Sequence, residues 1–241
     1  CLAAGKAVVP LSVGGFSLDP ALLRDVEAAR AAVHVPSGAI AGLDGIRAMR
    51  EMGLDAVTLT TVKHPRSLGQ MPPLSELIPP TAEEALIMSP EARLLFSGTA
   101  EEAIRRFPAN VNVAVSLGLA GLGFSRTRVR LFADPCAAGT LHHISARAGD
   151  CTLETMTRPA PLPQNPRSSA LAMYSVPALL RGLAANPKLA GELFSWTWKP
   201  DRNINLPPSH NKQGVSNVPK HTGFVRSRRR RLYRPYGFIC P

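Results

Sequence analysis

The chain has 241 residues, with 28 Lys+Arg against 17 Asp+Glu, a formal charge of +11 and a hydrophobic share of 45%. That share is ample for a packed core and excludes wholesale disorder. Cys1, Cys136, Cys151 and Cys240 stand in no CxxC or zinc-like spacing, which argues against a disulfide scaffold and a structural zinc site. No apolar run reaches the roughly 18 residues that span a bilayer, and no basic-then-apolar leader opens the chain. The expectation is a soluble protein of a reducing, cytoplasmic compartment with no membrane partner.

In chain order, Ala7–Val13 reads as a short buried strand closed by Gly14-Gly15. Asp19-Pro20 predicts a helix start, cap before proline, with Leu22, Val26 and Ala29 as its apolar stripe. Val33–Val35 predicts a second short strand, and a helix follows over about 42–52, stopped by Gly53. Ala56–Val62 alternates as a strand, then a proline-rich loop occupies roughly 64–81. Leu94–Phe96 predicts a strand, Thr99–Arg106 a helix and Pro108–Gly121 an apolar helix. Thr127–Ala133 sets Val129 and Leu131 against Arg128 and Arg130, a strand with one wet face. Leu141–Ala146 and Thr152–Thr157 predict two more strands, and Ser168–Leu183 a last helix. Strand and helix alternate early and strands cluster later. That order predicts an α/β chain with a parallel part and a second, more open sheet.

The composition breaks near residues 185–195. Residues 1–195 hold 18 basic and 16 acidic side chains, whereas 196–241 hold 10 basic and one acidic. All 32 alanines fall within residues 1–190. Residues 186–241, with the run Arg228-Arg229-Arg230-Arg231, read as a basic, disordered tail. The arginine run invites a nucleic-acid reading, but no stacking platform accompanies it and that reading is disfavoured.

Five blocks carry a resemblance. They are Val35-Pro36-Ser37-Gly38-Ala39-Ile40-Ala41-Gly42-Leu43-Asp44, Val57-Thr58-Leu59-Thr60-Thr61, Phe107-Pro108-Ala109-Asn110-Val111-Asn112-Val113-Ala114, Ala133-Asp134-Pro135 with His142, and Asn165-Pro166-Arg167-Ser168-Ser169-Ala170. In this order they resemble the L-aspartate dehydrogenase family. The resemblance implies a Rossmann domain followed by an α+β substrate and dimerisation domain with an open mixed sheet. Residues 1–40 would be the C-terminal remnant of the parallel-sheet dinucleotide-binding domain, and 41–185 the second domain. It implies oxidation of L-aspartate with NAD or NADP to iminoaspartate, then hydrolysis to oxaloacetate and ammonia, in a homodimer serving NAD biosynthesis or aspartate catabolism. The family opens on a GxGxxG loop that cradles the pyrophosphate. This sequence has no GxGxxG, so an incomplete chain that binds NAD weakly or not at all is the expectation.

The resemblance also assigns residues. Ala39, after a strand and Gly38, would face the nicotinamide; an ordinary strand-to-helix turn is the alternative. Asn112 would contact the cofactor, its amide suited to a carboxamide, while Asn110 is the better helix cap. His142 maps to the catalytic histidine, an imidazole able to move protons near neutral pH; a surface histidine is the alternative. His143, its neighbour, would face the other side of a strand, so the two cannot form a metal site unaided. The family usually has Arg-Asn where this chain has Gly139-Thr140, and a glutamate where it has His143. These departures favour a second hypothesis, a non-catalytic binding or dimerisation relative. Lys63, at a strand end, can hold a substrate carboxylate or simply be solvated. Arg128 and Arg130 read as solvated.

Overall fold

A computed structural model describes residues 1, 4–18, 20–28, 32–107 and 112–185. The elements are α1 (Gly15–Leu18), α2 (Pro20–Ala28), α3 (Leu43–Glu51), β1 (Ala56–Lys63), β2 (Arg93–Thr99), α4 (Ala100–Arg106), α5 (Asn112–Ala120), β3 (Arg128–Ala133), β4 (Leu141–Ala148), β5 (Cys151–Thr157), β6 (Pro161–Leu162), β7 (Asn165–Ser169) and α6 (Ala170–Ala185). Three 3-10 turns, Pro65–Ser67, Leu74–Glu76 and Glu84–Leu86, punctuate the long segment between β1 and β2.

Five strands form one mixed sheet in the order β2-β3-β1-β4-β5, and β6 and β7 form a hairpin of their own. The central strand β1 runs parallel to β3 and antiparallel to β4. Val57, Leu59, Val62 and Thr61 of β1 are all buried, so both faces of this strand are covered. One face packs on α3, α4 and α5 through Val57, Leu59, Val129 and Ile144, against Ile46, Ile104 and Val115. Val62, Phe132 and Leu141 on the other face pack against Met88 and Ala92 of the segment before β2.

Local chemistry sets the element ends. Thr99 and Glu102 close a reciprocal capping box on α4, Thr99 Oγ1 accepting from Glu102 N and Glu102 Oε2 accepting from Thr99 N. Asp134, buried just past β3, accepts from Ser89 N, Ser89 Oγ and Cys136 N at 3.0, 2.6 and 2.8 Å. This carboxylate ties the β3–β4 turn to the segment preceding β2.

The α/β architecture with a mixed sheet agrees with the sequence expectation, and the detail departs from it in four places. Ala7–Val13 is not a strand: within it Val8 alone pairs, in a parallel bridge to Val33, and Val33–Val35 contributes isolated bridges at Val33 and His34 rather than a strand. Pro10 lacks an N–H and cannot extend a ladder. The face of β3 expected to be wet is so at Arg128, which is exposed, but not at Arg130. Arg130 pairs with Glu84 at 2.8 Å and lies 5.5 Å from the Phe132 ring centroid. The last helix begins later than expected, because Ser168 and Ser169 belong to β7 and Ser169 Oγ caps α6 by accepting from Ala172 N at 3.1 Å. The sheet's parallel character is confined to the β1–β3 pair, beside the Val8–Val33 bridge. Asp19, Ala29, Asn110 and the tail 186–241 lie outside the described residues. Among the described residues no helix is long and apolar enough to cross a membrane.

Candidate functional site

The site grows from the register of three neighbouring strands. Thr61 of β1 stands opposite His142 of β4, and His142 stands opposite Thr157 of β5. Cross-strand partners share a face, so these three side chains form a row on the helix side of the sheet. Lys63 lies two residues beyond Thr61 on the same face. At the far end of the row Thr157 Oγ1 donates to the carbonyl of Ala39 at 2.7 Å. Thr155 Oγ1 donates likewise to Ala41 O at 3.1 Å. Two β5 hydroxyls therefore staple the segment before α3 beside the buried histidine.

His142 is 7% exposed. Its Nδ1 lies 3.0 Å from Thr61 Oγ1, which leaves Nε2 as the ring atom to meet a bound molecule. Burial first, and then the positive charge of Lys63, lower its pKa to about 4, so the ring is neutral at physiological pH. Burial also lowers the pKa of Lys63. A neutral imidazole is a proton acceptor, and the half-buried amine beside it remains a candidate partner for a carboxylate. Thr61 and Lys63 face a small cavity of about 30 Å³ that Phe96, Phe107 and Val113 also line.

The predicted site residues fall into two groups. His142, Lys63 and Ala39 are brought together along the row. Asn112 opens α5, next to cavity-lining Val113, and its side chain is exposed. Its Oδ1 accepts from Gly14 N at 2.9 Å and from Ser12 Oγ at 3.1 Å. The amide NH₂ is then what Asn112 presents. His143 occupies the opposite face, 3.9 Å from Glu154, as strand alternation requires.

Thr61 and Thr157 were not singled out from the sequence. Their roles depend on pairing across 81 and 118 residues, which no local period records. A fourth contact was equally hidden: Gly38 N donates to Ser175 Oγ of α6 at 3.3 Å.

The nicotinamide end of a dinucleotide fits the residues present. Gly38 has φ +67°, and a Cβ built there would meet nothing within 4 Å, so the backbone opens to free space beside buried Ala39. Beside it, Thr157, the cross-strand partner of His142, holds the Ala39 carbonyl.

A family model described as aspartate dehydrogenase, C-terminal, matches residues 44–183. The L-aspartate dehydrogenase of Methanosarcina barkeri is 39% identical over 183 residues, covering 75% of this chain and 66% of that protein. That of Polaromonas sp. is 39% identical over 177 residues, covering 71% of this chain and 63% of its own length. The crystal structure of the aspartate dehydrogenase from Thermotoga maritima superposes with a TM-score of 0.56 at 26% identity, covering 73% of this chain and 65% of that one. The chain thus spans about two thirds of the length of the relatives it matches. Sequence, family model and three-dimensional fold agree over the same stretch, and the chain belongs to the aspartate dehydrogenase family.

Proposed function

We propose that this chain carries the catalytic half-site of an NAD(P)-dependent L-aspartate dehydrogenase. The observation that bears most weight is the buried row of Lys63, Thr61, His142, Thr157 and the Ala39 carbonyl, with a neutral imidazole at its centre. The relatives' names support the choice of substrate, and the geometry supports the following roles. Lys63 holds a carboxylate of aspartate. Gly38 and Ala39 form the floor for the nicotinamide, held by Ser175 and Thr157, and the Asn112 amide donates to the carboxamide oxygen. NAD or NADP held there would supply the hydride acceptor for Cα; the Cα–N bond becomes a C=N bond as the amine proton passes to solvent. His142 Nε2 then takes the proton of the water that adds to iminoaspartate. The imidazolium so formed returns that proton to the nitrogen, and the hydroxyl proton of the resulting carbinolamine then passes through the same ring to the nitrogen as the C–N bond breaks, giving oxaloacetate and ammonia. Low polarity around the ring makes the cation short-lived, which suits a shuttle better than a store.

The same reading makes the protein a cytoplasmic homodimer, with residues 1–40 the remnant of the dinucleotide-binding domain and 41–185 the substrate and dimerisation domain. Exposed Leu171, Met173, Tyr174 and Leu180 on α6 support the dimer. The decisive assay follows the rise of NADH or NADPH absorbance with L-aspartate as substrate. With nucleotide at high concentration to offset weak binding, aspartate-dependent reduction of either nucleotide is expected, with ammonia released in equal amount. No reduction of either would overturn the catalytic reading. The second reading, a non-catalytic relative, is favoured by Gly139-Thr140 before the histidine. It predicts no turnover with retained folding and self-association.

A further inference from the structure

The row contains one polar contact that the proposed chemistry has not used. Thr61 sits on the central strand, 8% exposed, where Leu59 and Val62 beside it are apolar. A hydroxyl buried there is costly unless it is paired, and the partner in reach is the ring of His142, 3.0 Å away at Nδ1. Both groups are fixed. Thr61 and His142 are direct cross-strand partners between β1 and β4, and a β-branched side chain in a strand has little χ1 freedom. The contact thus holds one ring nitrogen in place and aims the other.

We propose that Thr61 is the positioning residue of His142: its Oγ1 accepts a hydrogen bond from Nδ1–H, fixes that tautomer and leaves the Nε2 lone pair facing the substrate. A hydroxyl can donate as well as accept, so the direction needs a reason. A neutral ring carries one proton. A ring that is to take a proton from water at Nε2 must keep its own at Nδ1. Lys63, on the same face two residues along β1, opposes a second proton on the ring. The step conserves atoms and charge: Nε2 gains the water proton as the C–O bond forms, and Nδ1 keeps its hydrogen on Thr61 throughout. The inference rests on His142 being the proton acceptor of the proposed reaction, and it has a test that does not need turnover.

The full chain is labelled with ¹⁵N-histidine, and the ring nitrogens are read by long-range ¹H–¹⁵N correlation. His142 is assigned by the signal missing in His142→Gln. The expected wild-type spectrum has Nδ1 protonated and Nε2 bare. Thr61→Val, close in shape, should shift the ring toward the Nε2–H form, and Thr61→Ser should restore the wild-type pattern. A wild-type ring protonated at Nε2, or a Val variant with an unchanged tautomer, would overturn the proposal. If the Val variant does not fold, the wild-type and Ser spectra decide the matter, since both must show Nδ1–H. In turnover, Thr61→Val should lower kcat by about 10–10²-fold, the span for losing a group that orients another. Its KM for aspartate should stay within about twofold, because lost orientation of a base acts on the chemical step, and Ser should rescue. Equal losses at Val and Ser would count against positioning. A chain with the expected ring spectrum but no aspartate-dependent turnover would sink the function reading alone.

Discussion

Two histidines in sequence on β4 have opposite surroundings, and that asymmetry sets the sharpest expectations at the scale of a residue. His142 is buried against Thr61, and His143 lies on the other face near Glu154. His142→Ala should cut aspartate turnover by about 10²–10⁴, the usual span for a lost general acid or base. His143→Ala should change it several-fold at most. Steady-state kinetics on both variants check this, and equal losses would break the argument from alternation. The same burial has a cost in stability. In the native state His142 titrates at about 4 rather than 6.5. Between those values the unfolded chain binds a proton that the native state refuses, so stability falls as pH drops. At ~1.4 kcal/mol per unit the full effect is about 3 kcal/mol, present above pH 6.5 and lost as the pH falls to about 4. Urea unfolding of wild type and His142→Gln across that window should show a shallower acid slope in the variant. Parallel slopes would mean that the ring is not desolvated as described.

Among the elements, the segment before α3 depends on close approach. Gly42 has φ +81°, and a Cβ there would lie 2.5 Å from Thr155 Cγ2. Gly53, at φ +89°, has nothing within 4 Å of the same built atom. Gly53→Ala should therefore cost only the left-handed backbone, about 1–2 kcal/mol. Gly42→Ala adds a collision with a β-branched strand residue, and should cost about 1–3 kcal/mol more by the usual toll of overpacking. It should also disturb the staple from Thr155 to Ala41. Denaturant midpoints for the two variants test the ranking, which equal losses would refute. Much at this scale was legible beforehand. The period-2 run from Ala56 and the Thr99–Glu102 cap signal both announced real elements. What escaped was decided by distant partners. Arg130 read as solvated because alternation cannot foresee Glu84 arriving from 46 residues upstream. Ala7–Val13 has strand composition, yet Pro10 interrupts it and the Asn112 side chain takes the hydrogen bonds of Ser12 and Gly14. His142, Lys63 and Ala39 could be named from resemblance, but their meeting on one face needed the β1–β4–β5 register.

For the whole molecule, α6 connects the site to a surface. It rests on the β6–β7 hairpin and buries only Leu179 among its own side chains, while Leu171, Met173, Tyr174 and Leu180 are 41%, 58%, 68% and 48% exposed. Leu171 and Tyr174 share one side of the helix and Met173 and Leu180 another, and the homodimer proposed above would cover part of this apolar surface. Ser175 on this helix accepts from Gly38 N at the cofactor floor. A dimer that steadies α6 would thereby steady Gly38 and Ala39 as well. Leu171→Glu combined with Tyr174→Glu should shift sedimentation from dimer to monomer at micromolar concentration. Because His142 and Lys63, the proposed proton-transfer and substrate-binding groups, sit on β4 and β1 and not on α6, the apparent KM for NAD(P) should rise several-fold with less effect on kcat. A wild-type chain that sediments as a monomer would remove the dimer. Monomeric variants with an unchanged cofactor KM would keep the dimer and cut its link to the site through Ser175.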